Sequence, residues 1–339
     1  MKISFLVTYY NQEAYVHQSL DSILAVEKPG DWEILVGDDG SSDGTTEIVR
    51  EYIERDPEHI RLYVMPRQAG ATYDSVRRAS ANRLNLLAHC TGDCFCTLDG
   101  DDYYCDVKFA REAVDILRGH GEVSLVAFGF CYDRDGVTGE PHLLGQAEGP
   151  MDKRGFLRNL YIHAGACVHR RNPDAERLEL LRKIGYFDDN NIVINSLHDG
   201  EMYNARRVIY AYRQTGGSVF NSMSVLEQAM LNVQGMDVDL KLAGEACRRD
   251  VFSRYAAHLD CVYLARNHLR EALGEKKYRK YLDGCALIGD SIGERLLRYP
   301  EAGAEERRQV RRQAHRVMRE NPLRLLTAGM MYLRRGMKD

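Results

Sequence analysis

Thr97-Leu98-Asp99-Gly100-Asp101-Asp102-Tyr103-Tyr104 sets the end of an apolar run, 95–98, directly against three carboxylates within four residues. A short apolar run of this kind reads as a buried strand, and in open α/β sheets ligands collect at the C-terminal ends of the strands. Three acidic groups crowded at such an edge repel one another unless something cationic sits among them. A hard divalent ion, Mn2+ or Mg2+, gripping a phosphate-bearing ligand meets that need. From these eight residues alone, a solvated acidic turn meets it equally well.

Working outward toward the N-terminus, the same pattern recurs. Residues 3–7 are apolar and β-branched, a first strand, and Thr8-Tyr9-Tyr10-Asn11 follows as a loop. Residues 14–26 have helical spacing, with Ala14, Leu20, Ile23 and Leu24 on one face, and Lys28-Pro29-Gly30-Asp31 ends them. Residues 32–36 form a second strand that also runs into acid, Gly37-Asp38-Asp39-Gly40-Ser41-Ser42-Asp43-Gly44-Thr45. Ser42 or Asp43 can cap a helix over 45–54. A third strand over 61–65 precedes a helix over 73–89 that carries Arg77, Arg78 and Arg83. Strands alternating with helices predict a parallel, doubly wound sheet. Strand C-termini then share one edge, so Asp38-Asp39 and Asp99-Asp101 face one crevice. Neither loop is a GxGxxG fingerprint or a GxxxxGK[ST] phosphate loop. A nucleotide here would be held by carboxylates and a metal instead of a glycine cradle.

The stretches SFLVTYYNQEAYVHQSLDSIL, WEILVGDDGSSDGTTEIV and TGDCFCTLDGDDYY, in this order, resemble the family 2 glycosyltransferases of GT-A fold, bacterial polysaccharide type. The resemblance covers roughly 1–225. It implies a nucleotide-sugar donor, UDP-linked by expectation, with its base and ribose near Thr8, Tyr9, Tyr10, Asn11 and Asp38 or Asp39. Asp99-Gly100-Asp101 resembles the family's DxD, in which the last Asp ligates Mn2+ or Mg2+. Asp101 is therefore the expected metal ligand, helped by Asp99. Asp102 either contacts the donor sugar or caps a helix starting near Tyr104. A departing nucleoside diphosphate develops negative charge, and a divalent ion stabilises it.

Downstream, 105–117 reads as a helix, 123–131 as a strand, Asp133-Arg134-Asp135-Gly136 as a hairpin turn, and 156–161 as a short helix. The small-residue segment 162–168 lines the acceptor side by resemblance. His163 is either a substrate contact there or a hydrogen-bonded, half-buried histidine. Gly185-Tyr186-Phe187-Asp188 resembles the family's GxFDE segment, and Leu197-His198-Asp199-Gly200-Glu201 its following acidic pair, which opens a helix. Asp199 is then the expected catalytic base and Glu201 the fallback; a hydroxyl attacks poorly unless a placed carboxylate takes its proton. The other role for Asp199 is N-cap of a helix over 201–212. Arg213 and Ser218, in the loop after it, are expected phosphate contacts by resemblance. Cys90, Cys94 and Cys96 lack the paired CxxC spacing of zinc sites and read as buried thiols.

From 222 the chain favours helix throughout, which gives two parts: a GT-A transferase domain over 1–225 and an α-helical region over 226–339. The last stretch, 307–338, interleaves arginines with leucines and methionines. It fits either a peripheral contact with an anionic membrane surface or a packed, homodimer-forming helix pair. The 339 residues carry a net charge of −4, with 44% hydrophobic and 28% charged residues. That balance gives no support to nucleic-acid binding. Nine cysteines without a signal peptide point to the cytoplasm, extended by the basic tail to the inner face of the plasma membrane. The expected function is inverting, metal-dependent transfer of a sugar to a glycan or lipid-linked glycan. A sugar nucleotidyltransferase would need a glycine-rich basic loop after the first strand, which Thr8-Tyr9-Tyr10-Asn11 is not. A non-catalytic nucleotide-sugar-binding protein rests only on His198 standing where the family has Glu.

Overall fold

The computed structural model describes residues 1–68, 70, 73–145, 147–159, 161–172, 174–198, 200–215 and 222–320. Ten strands form one mixed sheet: β1 (Ile3–Tyr9), β2 (Trp32–Asp38), β3 (Ile60–Val64), β4 (Cys94–Asp99), β5 (Tyr103–Tyr104), β6 (Val123–Arg134), β7 (Val137–Thr138), β8 (Gly149–Met151), β9 (Cys167–Arg170) and β10 (Glu201–Arg213). The sheet order is β3-β2-β1-β4-β9-β6-β10-β5, with β7 on β6 and β8 on β10.

The first four strands in that order are parallel, as the alternating pattern predicts. Helices α1 (Val16–Ala25), α2 (Thr45–Arg55), α3 (Ser75–His89) and α4 (Phe109–Gly119) make the crossovers. Strand β9 runs antiparallel between β4 and β6, β10 is parallel to β6, and β5 is antiparallel to β10. Register brings the acidic ends together: Thr8 faces Asp99 and Tyr9 faces Asp38. The core beneath is apolar and buried, with Ile3, Phe5, Val7, Ile34, Val36, Cys96 and Leu98 at its centre. The hairpin turn expected after β6 is present, with Asp135 (φ 53°) and Gly136 (φ 82°) both in the left-handed region that a two-residue turn requires.

Two expectations are corrected. Residues 201–212 are strand, not helix: Met202, Ala205, Ile209 and Ala211 are buried between β6, β8 and β5, and pairing along both edges overrides helical propensity. The helix expected from 105 begins at Phe109, because Cys105 N–H donates to Ile209 and Asp106 caps the backbone of Lys108. The GxFDE-like segment lies between two helices, α6 (Ala175–Ile184) and α7 (Asp189–Leu197), after a short α5 (Lys153–Asn159). Gly185 ends α6 in the left-handed conformation (φ 65°), and Asp188 starts α7 with a capping box to Asn191.

The chain divides into two compact units, 1–156 with 160–215, and 157–159 with 216–339. The second is helical: α8 (Val225–Leu242), α9 (Arg248–Ala265), α10 (Leu269–Leu273), α11 (Glu275–Ile288), α12 (Ile292–Leu297) and α13 (Ala304–Glu320). Buried Asp237 of α8 ties it together, accepting bonds from Ser291 Oγ at 2.6 Å, Ile292 N at 3.0 Å and Gly293 N at 2.9 Å. It thereby caps α12 from a neighbouring helix. Among the described residues no helix is long and apolar enough to cross a membrane. The basic tail beyond 320 lies outside the described residues.

Candidate active site

The acidic turn after β4 is built by its own backbone. Gly100 N–H donates to Thr8 O at 2.9 Å, and Asp102 N–H donates to Asp99 O at 2.9 Å. Position 100 must be glycine, because a Cβ there would lie 2.1 Å from Tyr9 Cδ1 and 2.7 Å from Gln12 Oε1. Tyr9 is accordingly a core residue: its ring is buried and its hydroxyl bonds Ser19 Oγ. The expectation that Tyr9 touches a donor is corrected on that ground.

The three carboxylates have separate fates. Asp99 accepts from Arg83 at 2.9 and 3.1 Å and from Thr8 Oγ1 at 3.2 Å. Burial opposes its ionisation, but the Arg83 guanidinium outweighs it and holds the carboxyl below its ordinary range. Asp102 is buried, accepting from the Tyr210 hydroxyl and from Arg213 N–H at 2.7 Å. Burial and the charges of Asp101 and Asp99 push its carboxyl well up. It fastens β10 to the turn, so neither a sugar contact nor a helix cap describes it. Asp101 pairs with no cation among the described residues, and burial and then the Asp99 charge raise its carboxyl. Gln12 and the more distant charge of Arg213 offset this only in part. One carboxylate of the three is thus left needing a counter-ion.

The second acidic pair is also divided. Asp38 organises its own loop, accepting from Ser41 N–H at 3.1 Å, Ser41 Oγ at 2.5 Å and Thr46 Oγ1 at 2.7 Å. Asp39 is buried and paired with Arg67 and Arg78. The Arg67 guanidinium stacks 3.8 Å from the Tyr10 ring centre and 5.1 Å from that of Tyr73, and Arg78 lies 4.9 Å from Tyr73. Planar cations, aromatic faces and a carboxylate in one place suit a planar, hydrogen-bonding base. Asn11 (φ 50°) accepts from Ser42 N–H at 2.8 Å and joins the two loops. Arg213 stacks 4.6 Å from Tyr15 and donates to Gln18 at 2.5 Å, beside the acidic turn.

Asp199 and Ser218 lie outside the described residues. Gly200 packs against Glu122 O, and Glu201 N–H donates to Glu122 O at 2.8 Å, before β6 begins. That is the N-terminal edge of the sheet, whereas Arg213 at the other end of β10 meets Asp102. The β6 span that β10 pairs with between them, Val123 to Asp133, is roughly 33 Å long. Glu201 is excluded as a base by the same geometry; it accepts from Lys153 N–H at 2.6 Å.

A further carboxylate, Asp189, lies within electrostatic reach of Arg83 beside the acidic turn. Phe187, Thr8, Arg83 and Asp99 line one small recess, and Asp188 and Asp189 follow Phe187 directly. Asp188 is spent as cap of α7, with its carboxyl pushed up first by burial and then by Asp189. Asp189, in the first turn of α7, acts electrostatically on Arg83 and on Tyr212. Sequence reasoning set the base at Asp199, and did not single out Asp189, which directly follows the quoted Gly185-Tyr186-Phe187-Asp188 motif. His163 is buried, accepts from Gly165 N–H at 3.2 Å and caps a turn at 164–166. Its ring lies 4.6 Å from Tyr210 and 5.0 Å from Tyr212. Cys90, Cys94 and Cys96 are buried free thiols.

The family model described as glycosyl transferase family 2 matches residues 4–176. The chain belongs to glycosyl transferase family 2. EpsE of Bacillus subtilis, which carries a glycosyltransferase name, is 30% identical over 216 residues, 63% of this chain and 73% of that protein. An uncharacterized Mycobacterium tuberculosis protein is 26% identical over 177 residues, 50% of this chain and 47% of its own length. The chain thus spans about half the length of the mycobacterial relatives it matches. S. aureus TarS, solved with UDP-GlcNAc, shares the fold at a TM-score of 0.57 and 16% identity, covering 88% of this chain and 84% of that one. The glycosyltransferase fold seen here is therefore the GT-A type, with a mostly parallel sheet flanked by helices and a helical C-terminal region.

Proposed function

We propose that this glycosyltransferase is inverting and metal-dependent, and moves a sugar from a UDP-linked donor to a glycan or lipid-linked glycan hydroxyl in bacterial surface-polysaccharide synthesis. The carrying observation is Asp101, a carboxylate raised by burial and with no cation among the described residues, at the sheet edge where its two neighbours are already neutralised or bonded. That donor set fits a hard divalent ion, which needs one or two carboxylates and completes its shell with phosphate and water oxygens. Asp101 would hold the ion, and Asp99, fixed by Arg83, would stand beside it. A bound divalent ion supplies counter-charge to the diphosphate as it leaves.

The chain's own residues do the rest. Asp39, Arg67, Tyr10 and Tyr73 hold the base, and Asn11 keeps the two loops in register around it. Arg213 lends positive charge to the diphosphate side. Asp189 takes the proton of the acceptor hydroxyl as that oxygen attacks the anomeric carbon from the face opposite the diphosphate. The UDP preference is supported by TarS, solved with UDP-GlcNAc. The polysaccharide role is supported by a poly-β-1,6-N-acetyl-D-glucosamine synthase of Staphylococcus epidermidis, 38% identical over 79 residues, 23% of this chain and 19% of that one.

The test is donor turnover with Mn2+ across a panel of UDP-sugars. Asp189→Asn should lower transfer by about 10²–10⁴-fold while UDP still binds, and Asp199→Asn should leave the rate unchanged. The opposite pattern would return the base to Asp199 and discard the assignment made here.

A further inference from the structure

A group of aromatic rings gathers on β6, β10 and the segments that cross them. Phe130 of β6 is its centre and is 3% exposed. The His142 ring stacks on it, 4.8 Å away and within 10° of parallel. Tyr132, His163 and Tyr161 surround it at 5.5, 5.5 and 5.6 Å. Tyr132 lies 5.6 Å from Tyr212, its register partner on β10. Two glycines let the crossing segments come this near. A Cβ on Gly129 would lie 2.5 Å from Leu143 Cδ2 and 2.8 Å from His142 O, and one on Gly165 would lie 2.3 Å from the Tyr210 ring.

Core packing accounts for the inner rings only. Tyr161 is 58% exposed, His142 is exposed, and Tyr132 and Tyr212 are half-buried. Aromatic surface left wet beside a site is the kind that a ligand covers. The position of these rings is equally informative. Tyr212 directly precedes Arg213, whose N–H holds Asp102. Burial, then the charges of Asp102, Asp189, Asp101 and Asp99, push the Tyr212 hydroxyl up to about 12, which places it beside those carboxylates. Along the sheet order the Asp39 and Arg67 pocket stands at β2, the acidic turn follows β4, and the rings lie beyond them on β6 and β10. A ligand running from base through diphosphate would therefore meet the rings last, on its sugar side. A pyranose ring has a face of axial C–H groups and a rim of hydroxyls. The electron-rich face of an aromatic ring attracts the first, and tyrosine hydroxyls bond the second. His163 adds a donor: Gly165 N–H bonds its Nδ1 at 3.2 Å, so the neutral ring carries its proton on Nε2. Apolar faces with a few polar groups among them are the usual make-up of a small-molecule site.

We infer that Tyr132, Tyr161 and Tyr212, set around Phe130 and His142, form a platform on which a pyranose ring of the acceptor glycan stacks. The inference rests on the transferase reading for the role of that sugar. It adds where the acceptor lies and which side chains hold it. The donor sugar is already placed by its diphosphate at the acidic turn, which leaves the rings on β6 and β10 to the second sugar.

The experiment uses the full chain with UDP and Mn2+ present. Saturation-transfer NMR titrations are run with methyl β-glucopyranoside, methyl β-galactopyranoside and methyl N-acetyl-β-glucosaminide. The proteins are the wild type, Tyr161→Ala, Tyr161→Phe and Tyr132→Leu. Tyr161 is the most exposed of the rings, so its variants are expected to fold. The wild type and Tyr161→Phe should bind at least one glycoside alike. Tyr161→Ala and Tyr132→Leu should bind it at least about threefold more weakly, as loss of one aromatic contact requires. Calorimetry of UDP should give one affinity for all four proteins. Binding of no glycoside by the wild type, or equal binding by Tyr161→Ala, Tyr132→Leu and the wild type, overturns the platform. Displacement of the glycoside by UDP-GlcNAc but not by UDP assigns the rings to the donor sugar and overturns it too. Failure of the transferase reading is seen separately, as a wild type that binds no UDP in the calorimeter, because glycoside binding is read without turnover.

Discussion

Replacing Arg83 with Met removes the one cation that the described residues pair with Asp99. Arg83 donates to both carboxylate oxygens, at 2.9 and 3.1 Å. Breaking a fully buried pair at one partner costs about 3–5 kcal/mol, whereas an exposed pair is worth about 0–1 kcal/mol. The Asp99 side chain is 34% exposed and that of Arg83 18%, so a loss of about 2 kcal/mol is expected. For a unit of this size that lowers Tm by about 4–8 °C. The pH dependence follows from the sign of the shift. The Asp99 carboxyl is held below its ordinary range in the fold, against the effect of burial. Its contribution is present above the unfolded carboxyl value of about 3.9 and is lost as pH falls through the lower folded value. The gap between wild type and Arg83→Met should thus be widest near neutrality and close below roughly pH 4. Thermal unfolding followed by circular dichroism across that range measures it. A gap independent of pH, or none at pH 7, would refute the ion-pair account. In an Asp99→Asn background the same Arg83 substitution should cost measurably less.

Two further outcomes concern packing and titration. Gly100→Ala forces a Cβ to within 2.1 Å of the buried Tyr9 ring, so denaturant melts should show a loss of about 1–3 kcal/mol, with weakened UDP binding; wild-type values for both would show that the turn yields. In the helical unit, burial outweighs the bonds from Ser291, Gly293 and Ile292 and raises the Asp237 carboxyl to about 6. A folded value above the unfolded one means that stability is highest below the unfolded pKa and falls as pH rises through about 6, by about 3 kcal/mol in all. Asp237→Asn should flatten that fall between about pH 4 and 6 in urea unfolding, and an unchanged slope would assign it to other groups.

The strand–helix alternation up to Asp99 was legible because each strand is a short apolar run and each ends in acid or turn residues. The acidic clusters at one edge followed from parallel strands. Residues 201–213 were not legible: Met202, Ala205, Ile209 and Ala211 have no clean period-two pattern, and buried neighbours on both sides, unseen in the sequence, decide for strand. The expected base Asp199 was read as standing at the head of that supposed helix, and residue 199 lies outside the described residues. The separation of Asp99, Asp101 and Asp102 into three roles needed their partners, Arg83 from α3 and Tyr210 from β10, which lie 16 and 108 residues away. Arg67 and Tyr73, which frame Asp39 with Arg78, belong to a stretch whose composition alone signals nothing.

The claim at the centre is that Asp101 holds a divalent ion that fastens the donor diphosphate. Calorimetric titration of UDP into the wild type and Asp101→Asn, with and without Mn2+, tests it most directly. Mn2+ should tighten binding to the wild type, and the substitution should remove at least about tenfold of that gain. Equal affinity with and without Mn2+, or an Asp101→Asn variant that responds to Mn2+ as the wild type does, would contradict it.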